Sequence, residues 1–120
     1  VTDENGTASL AEVDGYYVGG KTGTANKSIN GRYTNKKLTS FISVFPTLKP
    51  NYLLLVLLDE PKPAPDLVYN YRGKKISGIV RNESGWNSAY VAGKIIEKIG
   101  PILAINKNDF YDNHVVKKSD

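Results

Sequence analysis

The sequence predicts an α+β fold, in which a three-stranded antiparallel sheet is packed by a C-terminal helix. Residues 16–59 contain three segments rich in residues that favour strands. The connections between these segments are short, which favours antiparallel pairing of neighbouring strands. One segment near the end of the chain carries apolar residues at helical spacing. With 120 residues, the chain is one domain or part of one.

The three predicted strands differ in their surroundings. The first begins at residues 16–18 and continues into a glycine-rich run. We expect a tight turn at Asn30-Gly31, because Asn-Gly is strongly preferred in two-residue hairpin turns. The second strand covers residues 38–45. The third, residues 52–58, is apolar on both faces, which predicts a strand buried in the middle of a sheet.

The region between the third strand and the helix is predicted to be mostly irregular. Pro61, Pro63 and Pro65 interrupt regular structure at its start. Residues 76–80 have the composition of a minor strand.

The predicted helix begins at Asn87 or Ser88, since both residue types cap helix N-termini. Gly100-Pro101 interrupts its last turn. Its apolar face comprises Ala92, Ile95, Ile96, Ile99, Ile102 and Leu103. We expect this face to pack against the sheet. Because one helix covers only one face, we also expect apolar surface to stay exposed on the sheet.

Composition excludes several classes of function. Cysteine is absent, so we expect no disulfide framework and no thiolate metal site, and the single histidine, His114, has no clustered ligand partners. We expect neither a metal nor a cofactor. The longest apolar run, residues 53–58, is far shorter than the roughly 20 residues that cross a bilayer. The net charge is +4, and the densest basic cluster comprises Arg72, Lys74, Lys75 and Arg81. Because no nucleic-acid motif accompanies this cluster, we interpret it as a solvated loop.

A glycine-rich run around a lysine is the strongest functional signal. Residues 18–25 combine Lys21 with two threonines and three glycines, a composition suited to an anionic group close to the backbone. One interpretation is a phosphate loop, because residues 15–22 match the pattern G-x-x-x-x-G-K-[ST]. A phosphate loop must open a helix, but the residues after Thr22 lack helical periodicity. Nucleotide binding is therefore the less favoured interpretation.

A second interpretation extends over nearly the whole chain. Lys21-Thr22-Gly23 matches the Lys-Thr-Gly motif of penicillin-binding proteins and class A β-lactamases. The further matching residues are Gly6-Thr7-Ala8, Gly15-Tyr16, Thr24-Ala25, Lys27, Gly31-Arg32-Tyr33, Ser40-Phe41-Ile42, Phe45-Pro46, Asp59-Glu60-Pro61-Lys62 and Gly85-Trp86-Asn87-Ser88-Ala89. Over residues 6–104 the chain thus resembles class B penicillin-binding transpeptidases, and Lys27 favours their division-type branch.

The resemblance implies a fold and a chemistry. Residues 1–106 correspond to the C-terminal part of a transpeptidase domain with the fold of serine β-lactamases. From its polar composition we expect the tail at residues 107–120 to fray. Such enzymes cross-link peptidoglycan by acyl transfer from a D-Ala-D-Ala stem peptide to a serine. The positions implied to bind the carboxylate of the stem peptide or of a β-lactam are Lys21, Thr22, Gly23 and Thr24. The backbone N–H of Thr24 is also implied to be an oxyanion donor, and Gly23 to leave room for the acyl chain.

The nucleophile of the family is missing from this sequence. No Ser-x-x-Lys pattern occurs, and Ser28-Ile29-Asn30 matches the Ser-x-Asn pattern on the wrong side of Lys21. We therefore expect the chain to be inactive without the N-terminal part of the same domain, and its start at Val1 fits a segment of a longer protein. The resemblance implies a location at the periplasmic face of a bacterial inner membrane, with other division proteins as partners and no nucleic acid. A non-catalytic module that merely packs remains an alternative.

Two features depart from the family pattern. Residues 61–85 form a longer stretch than usual, and Tyr90 stands where proline is common. Neither feature touches the lysine motif.

Overall fold

A computed structural model describes residues 1–3 and 5–103 of the chain, and it confirms the predicted α+β fold. A three-stranded antiparallel sheet is followed by a small hairpin and a C-terminal α-helix. The strands are β1 (Gly19–Ile29), β2 (Arg32–Phe45), β3 (Tyr52–Asp59), β4 (Tyr69–Tyr71) and β5 (Lys74–Ile76). The helix is α1 (Ser88–Ile99), and two short 3₁₀ turns cover Ser9–Ala11 and Ser84–Trp86. The predicted tail at residues 107–120 lies outside the described residues.

The main sheet has the order β1-β2-β3, with antiparallel pairing throughout. The predicted turn between β1 and β2 is confirmed, because Asn30 and Gly31 both have positive φ, 53° and 78°. Positive φ at both central residues is the geometry that matches the twist of a two-residue hairpin. The hairpin fixes the register of the two strands, in which Gly23 lies opposite Ser40 and Thr24 opposite Thr39.

The prediction that the third strand lies in the middle of the sheet is wrong. β2 is central, and β3 pairs only with β2. Along β3 the side chains alternate, so that Val56 is buried against the helix. The opposite face carries Leu53, Leu55 and Leu57, which are 64, 55 and 57% exposed. The apolar pattern therefore reflects an apolar outer face that no described element covers, as the single helix led us to expect.

The prediction of a strand at residues 16–18 is also wrong, since β1 begins at Gly19. Tyr17 has a positive φ of 52°, which interrupts an extended backbone. Tyr16 and Val18 instead fill the core beside Phe45 and Ile96. Their apolar and aromatic character reflects burial at this point and not strand formation.

The predicted helix is confirmed, with its N-terminus capped by Asn87. The Asn87 Oδ1 accepts the Ser88 N–H at 2.6 Å, which satisfies one of the free N–H groups of the first turn. Ala92 and Ile96 are completely buried against the sheet. Burial of an isoleucine side chain of this kind contributes about 1.5–3 kcal/mol. The polar face formed by Lys94, Glu97 and Lys98 is exposed.

Residues 61–85 contain the β4–β5 hairpin, so the predicted minor strand at residues 76–80 agrees with the structure only at Ile76. The hairpin turns at Arg72-Gly73, both with positive φ. It is held by an aromatic cluster, in which Tyr69 packs edge-on against two other rings. The members of this cluster are Tyr69, Tyr71, Trp86 and Tyr90. Within the described residues, no helix is long and apolar enough to cross a membrane.

Candidate functional site

The lysine motif lies on β1, at one edge of the main sheet. In the described residues, β1 pairs with β2 on one side and with no strand on the other. Thr22 and Thr24 lie opposite Phe41 and Thr39, which are buried beneath the helix, so these two threonines share the helix-facing side of the sheet. Lys21 lies on the opposite, outer side, in register with Ile42. The motif therefore presents groups from both faces at an open strand edge.

Lys21 carries an exposed ammonium group. Its Nζ donates a hydrogen bond to the backbone carbonyl of Thr22 at 2.7 Å. Among the described residues no carboxylate forms an ion pair with Lys21. A cation without a protein counter-charge, held near the backbone of an edge strand, is suited to an anionic ligand.

Lys27 lies six residues farther along the same strand and, unlike Lys21, is paired with carboxylates. Its Nζ contacts Asp59 Oδ1 at 2.8 Å and Glu60 Oε1 at 3.1 Å. Hydrogen bonds to these two carboxylates raise the pKa of Lys27 above its usual value, and the bond to Asp59 has the larger effect. This ion-pair cluster joins the β1–β2 hairpin to the end of β3, so Asp59 and Glu60 pair with Lys27 and not with Lys21.

Thr24 is exposed, and a loop contacts its hydroxyl from the helix side. The Thr24 Oγ1 accepts the backbone N–H of Ser84 at 2.9 Å. The Ser84 Oγ in turn donates to the Ser40 carbonyl at 2.5 Å and lies 2.7 Å from the Ser88 Oγ. Sequence reasoning missed Ser84, because the 60 residues that separate it from Thr24 leave no local pattern that indicates the contact.

Gly23 is constrained by the neighbouring strand. A Cβ atom added there would lie 2.7 Å from the Ser40 Oγ, so a larger residue requires that this hydroxyl move. The strand is regular at Gly23, and the irregularity in pairing lies farther along, between Asn26 and Ser28. The structure thus adds a packing reason for glycine beside the expected room for a ligand.

The backbone conformation excludes a phosphate loop. Lys21 and Thr22 lie within an 11-residue strand, and a second strand follows them. The phosphate-loop lysine must instead stand at the start of a helix, whose free N–H groups bind the phosphates.

Comparison with known proteins agrees with the motif. Residues 1–84 match the family model described as penicillin binding protein transpeptidase domain. The chain belongs to the penicillin-binding protein transpeptidase family. Together with the relatives described next, this match confirms the resemblance to class B penicillin-binding transpeptidases.

Relatives of this chain have been named in several bacteria. It is 34% identical over 114 residues to the probable peptidoglycan D,D-transpeptidase FtsI of Caulobacter vibrioides, covering 89% of this chain and 18% of that protein. It is 40% identical over 79 residues to the probable peptidoglycan D,D-transpeptidase PenA of Neisseria meningitidis, covering 65% of this chain and 13% of that protein. The chain thus spans less than a fifth of these two relatives.

A solved structure supports the fold of this transpeptidase segment. The apo transpeptidase domain of penicillin-binding protein 3 from Burkholderia pseudomallei superposes with a TM-score of 0.65 at 29% identity. The match covers 89% of this chain and 28% of that one. The sheet and the C-terminal helix therefore have the arrangement of one part of a penicillin-binding transpeptidase domain.

Proposed function

We propose that this chain forms one wall of the active site in a class B, division-type peptidoglycan D,D-transpeptidase of the bacterial cell envelope. The observation that carries the proposal is the exposed Lys21 ammonium, which has no carboxylate partner among the described residues, on the same strand as Thr22 and Thr24 and at an edge that no described strand pairs with. The peptidoglycan D,D-transpeptidase names of the relatives agree with this assignment.

The proposed ligand group is the terminal carboxylate of a D-Ala-D-Ala stem peptide or of a β-lactam. Lys21 supplies the positive charge, while Thr22 and Thr24 supply hydroxyl donors. Hydrogen bonds between charged partners are shorter and about twice as strong as neutral ones. Because no protein carboxylate pairs with Lys21 in the described residues, the ligand need not displace an internal ion pair.

The backbone of the same strand has a second proposed role. Along an edge strand, alternate N–H groups point away from the sheet and are free to bind another group. We assign the N–H of Thr24 to the developing negative charge on the carbonyl oxygen of the substrate. One such donor typically stabilises the transition state by about 3–4 kcal/mol.

The nucleophile has to come from outside this chain. Its 120 residues contain no Ser-x-x-Lys pattern, and Ser28-Ile29-Asn30 lies at the distal turn of the β1–β2 hairpin. We infer that the chain by itself forms no acyl-enzyme, and that residues 1–106 act as the C-terminal part of a transpeptidase domain. Its proposed partners are the remainder of that domain and other division proteins.

The charge of Lys21 provides the test. In the full-length protein that contains this segment, we expect Lys21→Gln to lower the rate constant of acylation by a fluorescent penicillin by roughly 10- to 150-fold. The matched control is Lys49→Gln, which removes an exposed lysine from the turn between β2 and β3. Unchanged acylation of the Lys21→Gln protein would contradict the assignment.

A further inference from the structure

The hydroxyl of Thr24 belongs to a hydrogen-bond network that leads from β1 to the loop before α1. Its Oγ1 accepts the Ser84 N–H, and the Ser84 side chain contacts Ser40 and Ser88. Ser84 is 1% exposed and Ser88 is fully buried, so the contact between their hydroxyls is shielded from water. The position of the Ser84 N–H is thereby tied to both β2 and the first residue of α1.

The Ser84 N–H has a directional effect on Thr24. A threonine hydroxyl has one hydrogen to donate and two lone pairs to accept with. When an N–H group occupies one acceptor direction, the hydroxyl hydrogen is repelled from that side. Because Thr24 is exposed, its hydrogen is then left to point towards a ligand at the strand edge.

We propose that Ser84 is a positioning residue, whose backbone N–H orients the Thr24 hydroxyl as a donor to the carboxylate of the ligand. The inference rests on the proposed function, since it concerns how that carboxylate is recognised. It adds the loop before α1 to the parts of the chain that shape the proposed ligand site, although the lysine motif itself lies on β1. The side chain of Ser84 acts indirectly, because its hydrogen bonds to the Ser40 carbonyl and to Ser88 keep the N–H in place.

Two substitutions separate the backbone donor from the side chain. Ser84→Ala removes the hydroxyl and keeps the N–H, whereas Ser84→Pro removes both. Proline is sterically suited to this position, because Ser84 is the first residue of a 3₁₀ turn and Glu83 is extended, with ψ at 160°. If Ser84→Pro lowers the acylation rate more than Ser84→Ala does, the additional decrease therefore reports the missing N–H.

The experiment measures penicillin acylation of the full-length protein in a double-mutant cycle with Thr24→Val. We expect Ser84→Pro to acylate about 2- to 12-fold more slowly than Ser84→Ala, the effect of one hydrogen bond. In the Thr24→Val background, the two Ser84 variants should acylate at the same rate. With the methyl ester of the same penicillin, which has no carboxylate, the difference between them should disappear.

Three results would overturn the inference. The first is an equal acylation rate for the two Ser84 variants. The others are a difference between these variants that persists unchanged in the Thr24→Val background or with the methyl ester. If Ser84→Pro does not fold, the same cycle with Ser84→Ala against wild type decides, because a loosened N–H should also slow acylation only when Thr24 and the carboxylate are present. Failure of the proposed function is distinguishable, because Lys21→Gln and Thr24→Val would then acylate like wild type.

Discussion

At the scale of single residues, two lysines on the same strand differ in their electrostatic surroundings. Lys27 is paired with Asp59 and Glu60, and these hydrogen bonds raise its pKa. Lys21 has an exposed ammonium group that donates a hydrogen bond to the Thr22 carbonyl. The difference assigns a structural role to Lys27 and makes Lys21 the candidate for binding an external anion.

The pairing of Lys27 predicts a pH dependence of stability. Because its pKa is raised in the folded state, the stabilisation is fully present below the ordinary lysine value of 10.5 and is lost as the pH rises through the higher folded value. We expect Lys27→Gln to lower the thermal midpoint of the full-length protein at pH 7. The difference from wild type should shrink in 1 M salt and at pH values above the folded pKa.

Lys49→Gln is again the matched control, since Lys49 is exposed and forms no ion pair within the described residues. A difference between Lys27→Gln and wild type that is the same at every pH and salt concentration would contradict the electrostatic account. It would indicate that the aliphatic part of Lys27 contributes by packing alone.

At the scale of elements, local signals predicted the structure well where geometry is set by neighbouring residues. The turn at Asn30-Gly31 and the cap at Asn87 were predicted because each depends on its own backbone conformation or side chain. The central position assigned to residues 52–58 was wrong, since an apolar pattern does not distinguish a covered face from an uncovered one. Residues 16–18 were misassigned because core packing requires the same residue types as a strand.

In the candidate site, too, the features set by neighbouring residues were predicted and the contact set by distant residues was not. The motif residues Lys21 to Thr24 are consecutive, so their pattern predicted their place on a strand. The contact between Ser84 and Thr24 depends on how the loop before α1 returns to β1 across the sheet. Tertiary packing sets this return, and no spacing along the sequence indicates it.

At the scale of the whole molecule, the described elements cover one face of the sheet and leave the other exposed. The helix and the first 3₁₀ turn cover the face that contains Phe41 and Val56. The other face exposes large apolar side chains, which soluble proteins seldom leave together in the open. These side chains are Ile42, Leu53, Leu55 and Leu57.

We expect the isolated 120-residue chain to bind a hydrophobic dye and to self-associate through this outer face. Substituting Leu53, Leu55 and Leu57 by threonine should reduce dye binding and association, because threonine keeps a high strand preference but removes apolar surface. The control is Leu48→Thr, which changes an equally exposed leucine outside the strands. A wild-type chain that is monomeric and binds no dye would argue against an uncovered apolar face.

The central claim is that this chain binds the carboxylate of the ligand and stabilises the oxyanion, whereas the serine nucleophile lies outside these 120 residues. The most direct test treats the full-length protein with penicillin and maps the covalent adduct by mass spectrometry. We predict one penicilloyl group on a serine outside the 120 residues, and no adduct on the 120-residue chain alone. Absence of an adduct on the full-length protein, or an adduct on a residue within these 120, would contradict the account.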